Sequence, residues 1–448
     1  MSSSTIAIII TILAIISFVL EKIPLAMTAL IASLAMGIIL PEMQLSDVYA
    51  GFASTTVMMV AGMCIVGNAL FETGMAEKIG EKIGETKIAK NERLFTLVVV
   101  VICLIMSAFL SNSGTIAMWM PLIAAVAAKS KGSVRSKMVI LPAGIACAIG
   151  GAGTLVGSTS QQTANAALIT YKGYEDGLGL FDQTAVMIPL CLITIVYFAT
   201  VGYSLMKKVL KPEAPGFNDN NYFAQIAAAS AENSEKTEKK DVPAWKGWLS
   251  LIVLIGCIIG FILTGQPMFK PYLNVGIVAL IGATILIVTG CMPLKKTLAE
   301  LDWNTLVILG AAQGFALGLN VSGGGKVIAE AILKLFGGSS ASPAVLMAAG
   351  IVVTTVLTNF MSNTALAAMM TPIYVEIALS LGISPIPFVI AVGAVATNLA
   401  CATPVGTPCC TQTLPAGYKY MDYVKIGGPL CIILIIAACI FCPMFYHF

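Results

Sequence analysis

Charge is what this chain has least of. Of its 448 residues only 10% are Asp, Glu, Lys or Arg, 58% are hydrophobic, and the mean hydropathy is +0.93. Soluble domains carry roughly 25% charged residues, so the composition describes a polytopic membrane protein. Histidine is nearly missing: His447, next to last, is the sole one, which removes imidazole metal sites and imidazole proton relays from the spans. Nucleotide-binding, His-Glu-x-x-His and Gly-x-Ser-x-Gly motifs are absent, so nothing points to an enzyme. A net charge of +3 gives no footprint for nucleic acid. The first charge is Glu21, so no basic segment precedes the apolar run 5–20, which reads as a retained span rather than a signal peptide. The twelve cysteines lie mostly singly in apolar runs, as Cys64, Cys103, Cys147, Cys257 and Cys439 do, and read as buried thiols. The adjacent pair Cys409-Cys410 has neither metal-ligand spacing nor easy disulfide geometry.

Against this apolar background two polar patches stand out. One is Thr358-Asn359-Phe360-Met361-Ser362-Asn363-Thr364, the other Ser107-Ala108-Phe109-Leu110-Ser111-Asn112-Ser113. Lipid cannot hydrogen-bond a broken helix, so such a patch persists at membrane depth only when it lines a cavity or is buried in protein. Each interrupts a long apolar segment, 94–129 and 343–381, and the arms on either side are short for an independent crossing of ~30 Å. Both segments are therefore expected to be re-entrant hairpins with the patches at their tips. Full spans are expected near 5–20, 24–40, 55–71, 138–170, 184–206, 247–264, 273–290, 302–321, 386–417 and 424–446. Segments 138–170 and 386–417 are too long for one span and carry Gly, Thr and Pro near the middle, the pattern of discontinuous helices.

The halves repeat. Asn112 and Asn363 are 251 positions apart, Met118-Trp119-Met120-Pro121 corresponds to Met369-Met370-Thr371-Pro372, and Gly153-Thr154-Leu155-Val156-Gly157-Ser158 to Ala402-Thr403-Pro404-Val405-Gly406-Thr407. Several features in one order point to an internal duplication. The expected fold is thus an all-α polytopic membrane protein: a first repeat over 1–206, a linker over 207–246 and a second repeat over 247–448. Five spans plus one hairpin per half invert the second repeat relative to the first. With both termini outside, 21 of the 25 basic residues fall in cytoplasmic loops and only Lys172, Lys270, Lys326 and Lys334 lie outside, as the positive-inside bias requires. The first hairpin then enters from the cytoplasm and the second from outside, so their tips meet near the midplane. The linker is polar and aperiodic, and the stretches 75–90 and 326–336 fit amphipathic helices in the interface.

Hydroxyls, amides and freed carbonyls replace the hydration shell of a small cation, while half-helix N-termini suit an anionic group. The alternative role for such residues is gluing helices together. Ser362-Asn363-Thr364, and Ser111-Asn112-Ser113 with its spacing to Gly157-Ser158, resemble the paired hairpin signatures of the divalent-anion/sodium symporters, within the ion transporter superfamily. The resemblance runs from about residue 5 to 446. It implies a homodimer, an elevator-type mechanism, and dicarboxylate or related anions as substrate, with Na+ as coupling ion and no resident cofactor. By position it implies a first sodium site of Ser107, Ser111, Asn112 and the Gly157 backbone, and a second of Thr358, the Met361 carbonyl, Asn363 and the Gly406 backbone. Substrate would meet Asn112, Ser113, Ser158, Thr159, Asn363, Thr364, Thr407 and Pro408. The chain departs from the family at Ser113-Gly114, at Ser158-Thr159-Ser160 in place of a Ser/Thr-Pro-Pro run, and at Cys409. The function expected is sodium-coupled uptake of a divalent anion such as succinate, malate or fumarate across a bacterial inner membrane. The other readings are a sodium-independent exchanger of dicarboxylate, tartrate or sulfate, or the membrane subunit of an arsenite-type pump.

Overall fold

The computed structural model describes every residue except 1, 21, 77, 79–81, 83–85, 131–132, 211–241, 265, 267, 270 and 337–341. Most of the expected linker and part of the expected interfacial stretch 75–90 therefore lie outside the described residues. Every regular element among the described residues is helical. In chain order the principal helices are α1 (Ser3–Leu20), α2 (Leu25–Ile39), α3 (Thr55–Glu72), α4 (Glu92–Ser107), α5 (Asn112–Lys129), α6 (Ser136–Gly151), α7 (Thr159–Leu168), α8 (Thr184–Ala199) and α9 (Val201–Val209). The second half supplies α10 (Ala244–Thr264), α11 (Val275–Val288), α12 (Trp303–Val321), α13 (Gly324–Leu335), α14 (Pro343–Thr358), α15 (Asn363–Ser380), α16 (Ile386–Asn398), α17 (Pro408–Thr411) and α18 (Tyr420–Phe445).

Among the described residues, five helical stretches are long and apolar enough to cross a bilayer: α1, Asp47–Glu72, α10, α12 and α18. The pair α8–α9, bent by 49°, makes a sixth. The remaining expected spans are shorter. Helices α2 and α11 have 15 and 14 residues, about 22 Å at 1.5 Å per residue. Residues 138–170 and 386–417 are broken as expected, between α6 and α7 and between α16 and α17. Within α16 the stretch Val389–Val395 is π-helical, a local widening often found at functional positions. Lipid-facing stripes are legible on α10 (Ile252, Ile255, Ile259, Ile262) and α18 (Ile432, Ile433, Ile436, Ile440), all exposed and at helical spacing.

The two halves exchange partners. Helix α3 lies along α11 and α12 lies along α2, so each half supplies the neighbour the other needs. Arms α4 and α5 both lie against α6, and arms α14 and α15 both lie against α16. Arms α4 and α5 also touch each other, as do α14 and α15, and the chain turns back at 108–111 and at 359–362. Arm lengths agree: 16 and 18 residues in the first pair and 16 and 18 in the second, with Pro121 and Pro372 at the same place in the second arm.

Candidate functional site

The tips are built by residues that stop one helix and start another. Ser111 is extended at the start of α5, and its Oγ accepts the Gly114 N–H at 3.0 Å, the usual cap for an orphan N–H. Ser362 holds the same extended backbone before α15 without a side-chain cap. Beneath each tip is a matched polar cluster. Ser107 Oγ lies 2.5 Å from Asn112 Oδ1 and 2.7 Å from Cys147 O. Thr358 Oγ1 lies 2.5 Å from Asn363 Oδ1 and 3.0 Å from Thr397 O. Both hydroxyl residues are fully buried. The breaks are tied to the tips in the same way, Thr154 Oγ1 donating to Ala108 O and Thr403 Oγ1 to Asn359 O.

A hydroxyl carries one proton, yet that of Thr358 faces two oxygen acceptors. At the first tip, the terminal amide atom of Asn112 beside Ser107 also lies 3.0 Å from Gly157 O and 3.2 Å from Cys147 O. With nitrogen there, the amide donates to both carbonyls. With oxygen there, acceptors outnumber protons and the cluster is one that a cation closes, as unwound backbone carbonyls do in transporters. Gly157 and Gly406 complete the parallel. A side chain at Gly157 would strike the Ser107, Ala108 and Gly151 carbonyl oxygens, and one at Gly406 would strike the Thr358 carbonyl.

Above the tips is a cavity of about 490 Å³. All eight residues expected to meet substrate line it: Asn112, Ser113, Ser158, Thr159, Asn363, Thr364, Thr407 and Pro408. The halves also touch directly, Thr159 Oγ1 lying 2.6 Å from Thr364 Oγ1. Of the residues expected around cations, Ser111, Asn112, Gly157 and Asn363 reach the cavity wall, whereas Ser107 and Thr358 lie beneath it. Met361 is buried among Leu366 and Met369 in the turn between arms, and Gly406 is buried at the second break. At the mouth, Lys296 binds Glu72 and lies 3.5 Å from Glu300. The Glu72 carboxylate holds the Lys296 ammonium pKa above its ordinary value.

Sequence reasoning missed several groups. The Cys147 and Thr397 carbonyls act through backbone and leave no side-chain signature. Thr154 and Thr403 stood at corresponding positions of the aligned breaks, so the repeat held that signal. Asn68, Asp302, Asn304 and Thr305, from α3 and the start of α12, face the tips from outside the hairpins. Buried Asn398 joins the halves, its Nδ2 donating to Ser160 Oγ at 2.7 Å and Gln161 Oε1 at 3.1 Å. Among the described residues no group of three or more His, Cys, Asp or Glu is placed to hold a metal ion.

Known proteins place this geometry among transporters. The model of a family described as CitMHS, citrate transporter, matches residues 15–393 and, in a second match, 268–448. An uncharacterized transporter of Haemophilus influenzae is 25% identical over 95% of this chain and 88% of its own length. The sodium-dependent dicarboxylate transporter SdcS of Staphylococcus aureus is 24% identical over 87% of this chain and 76% of its own length. The uncharacterized transporter YfbS of Escherichia coli is 31% identical over 35% of this chain, and the match spans about a quarter of that relative (26%). Among solved structures, Neisseria gonorrhoeae MtrF, from a class of antimetabolite efflux pumps, superposes with a TM-score of 0.59 at 15% identity, over 89% of this chain and 83% of that one. The Alcanivorax borkumensis YdaH transporter, described as having an unusual topology, superposes with a TM-score of 0.56 at 14% identity, over 89% and 86%. These two likenesses concern the fold.

Proposed function

Because the chain belongs to the citrate transporter family, we propose that it is a secondary transporter that carries a small divalent carboxylate together with sodium. The observation that carries this reading is the Thr358 cluster beneath the second tip, where one hydroxyl proton faces Asn363 Oδ1 and Thr397 O beside the shared cavity. Sodium there relieves the excess of acceptors, and the Ser107–Asn112 cluster at the matching place offers the second site. The N–H groups opening α5, α7 and α15 then meet carboxylate oxygens in the cavity. The likeness to SdcS, a sodium-dependent dicarboxylate transporter, supports the same substrate class. With Lys and Arg loops cytoplasmic, the mouth beside Lys296 opens inward. In this reading the protein works as a homodimer in a bacterial inner membrane, and the hairpin-bearing body moves by an elevator-type step.

The test is uptake of labelled succinate and malate into proteoliposomes with an inward sodium gradient. Asn112→Ala and Asn363→Ala, each joining a cation cluster to the cavity, are expected to abolish uptake singly while the purified variants retain a cooperative thermal transition. Normal transport by either variant refutes the shared site. Uptake that needs no sodium and is driven by an internal counter-anion turns the reading into exchange.

A further inference from the structure

Most polar groups expected at substrate donate hydrogen bonds: Ser and Thr hydroxyls and the N–H groups of helix starts. Gln162 breaks that pattern. It stands in the first turn of α7, is only 3% exposed, and lines the cavity. Its Nε2 donates to Val156 O at 2.8 Å, a carbonyl of the helix break itself. That bond fixes the amide, because exchanging the two ends would set oxygen against oxygen. The other end, Oε1, is buried and has no hydrogen-bond partner among the described residues. Its neighbour Gln161 shows the contrast. Gln161 Nε2 donates to Gly151 O at 2.7 Å and Thr154 O at 2.8 Å, and its Oε1 accepts from Asn398 at 3.1 Å, so both ends are engaged in holding the break.

An unpaired acceptor on a residue that lines a carboxylate cavity has a chemical meaning. A carboxylate cannot satisfy it, since an ionised carboxylate also only accepts. A substrate O–H can. Oε1 has under 1 Å² of accessible surface, so the side chain must turn toward the cavity as substrate binds, and a polar group placed to bond a substrate hydroxyl discriminates against the analogue that lacks one. We propose that Gln162 reads a hydroxyl on the carried anion, so that hydroxydicarboxylates are preferred to their deoxy counterparts. This rests on the reading of the cavity as a carboxylate site and deepens it.

Three ligands test it on the purified full-length protein in saturating sodium: L-malate, succinate, and methoxysuccinate, whose capped oxygen accepts but does not donate. Equilibrium affinities come from thermal shift and calorimetry. Malate is expected to bind about tenfold tighter than either of the others, the worth of one hydrogen bond. In Gln162→Leu that preference is expected to fall to near one, and Gln162→Met provides the same reading if the branched variant does not fold. Each preference is a ratio taken on one preparation, so it is independent of the folded fraction. Equal affinity for all three in the wild-type protein, or a malate preference that survives in the variant, overturns the proposal. Binding of none of the three overturns the carboxylate reading itself, and the proposal with it.

Discussion

Ser107 and Thr358 hold equivalent places, yet they differ by one methyl group, and that methyl group sits in a fully buried position. What both keep is a single hydroxyl between the amide end of an Asn and a main-chain carbonyl, 2.5 and 2.7 Å away in the first case and 2.5 and 3.0 Å in the second. Removing the hydroxyl while keeping the shape isolates its contribution. Thr358→Val leaves Asn363 Oδ1 and Thr397 O without that donor, which costs about 1–3 kcal/mol for a buried group. The same change removes a proposed sodium ligand. We expect Thr358→Val to lower the thermal transition and to weaken apparent sodium affinity at least about tenfold, a factor equivalent to roughly 1.4 kcal/mol. Thr358→Ser is expected to restore most of the sodium response. Both are read by melting the purified protein across a sodium series balanced with choline, and a Val variant whose sodium curve overlays the parent's disproves the assignment.

Each hairpin is tied to its neighbouring break by a threonine, Thr154 to the carbonyl of Ala108 and Thr403 to that of Asn359, and the second break adds its Ala402 N–H, donated to Asn359 Oδ1 at 3.0 Å. The threonine bond is the same device used twice, so its removal should register in both halves. Thr154→Val and Thr403→Val are each expected to lower stability by about 0.5–1.5 kcal/mol, the net value of one buried hydrogen bond. Differential scanning calorimetry on the two variants checks this, and an effect confined to one half contradicts the equivalence. Elements of this kind were largely legible in the chain. A polar patch at membrane depth must be satisfied internally, so Ser111-Asn112 and Ser362-Asn363 announced their breaks, and the 251-residue offset brought the second pair into register with the first. The breaks align at an offset of 249, and Ser158, Thr159, Thr407 and Pro408, which the family resemblance implied, lie on the cavity wall. Groups that act through main-chain oxygen were not legible, because Cys147 and Thr397 present carbonyls that any residue would present. Nor was the wall supplied by Asn68 and Asp302, whose place depends on how α3 and α12 pack across the halves.

Among the described residues, charged side chains lie in loops, near helix ends or on α13, and the pairs they form join loops expected on one side of the membrane. Arg135 holds Glu92 at 3.0 Å with Tyr203 at 2.9 Å from the same carboxylate, Lys246 reaches Gly290 O at 2.7 Å, and Lys296 binds Glu72. The exception is Glu376, buried at 8% exposure on α15. Its side chain packs so closely on α13 that a side chain at Gly325 would meet its Cγ at 2.7 Å. An acid at such depth is the usual signature of proton coupling, so its position decides which ion drives transport. Glu376 does not line the cavity. It follows Asn363 by 13 residues, about 20 Å along a helix at 1.5 Å per residue, and it faces α13 rather than a tip. The tips and breaks themselves offer only neutral oxygens, which suit sodium and have nothing to titrate. We therefore expect uptake to vanish when choline replaces sodium, to survive collapse of the proton gradient, and to change with external pH mainly through the ionisation of the substrate. Glu376→Gln is expected to keep the sodium dependence of the parent protein. Uptake that persists without sodium and collapses with the proton gradient, together with its loss in Glu376→Gln, would move the coupling site from the hairpin tips to the α13–α15 contact.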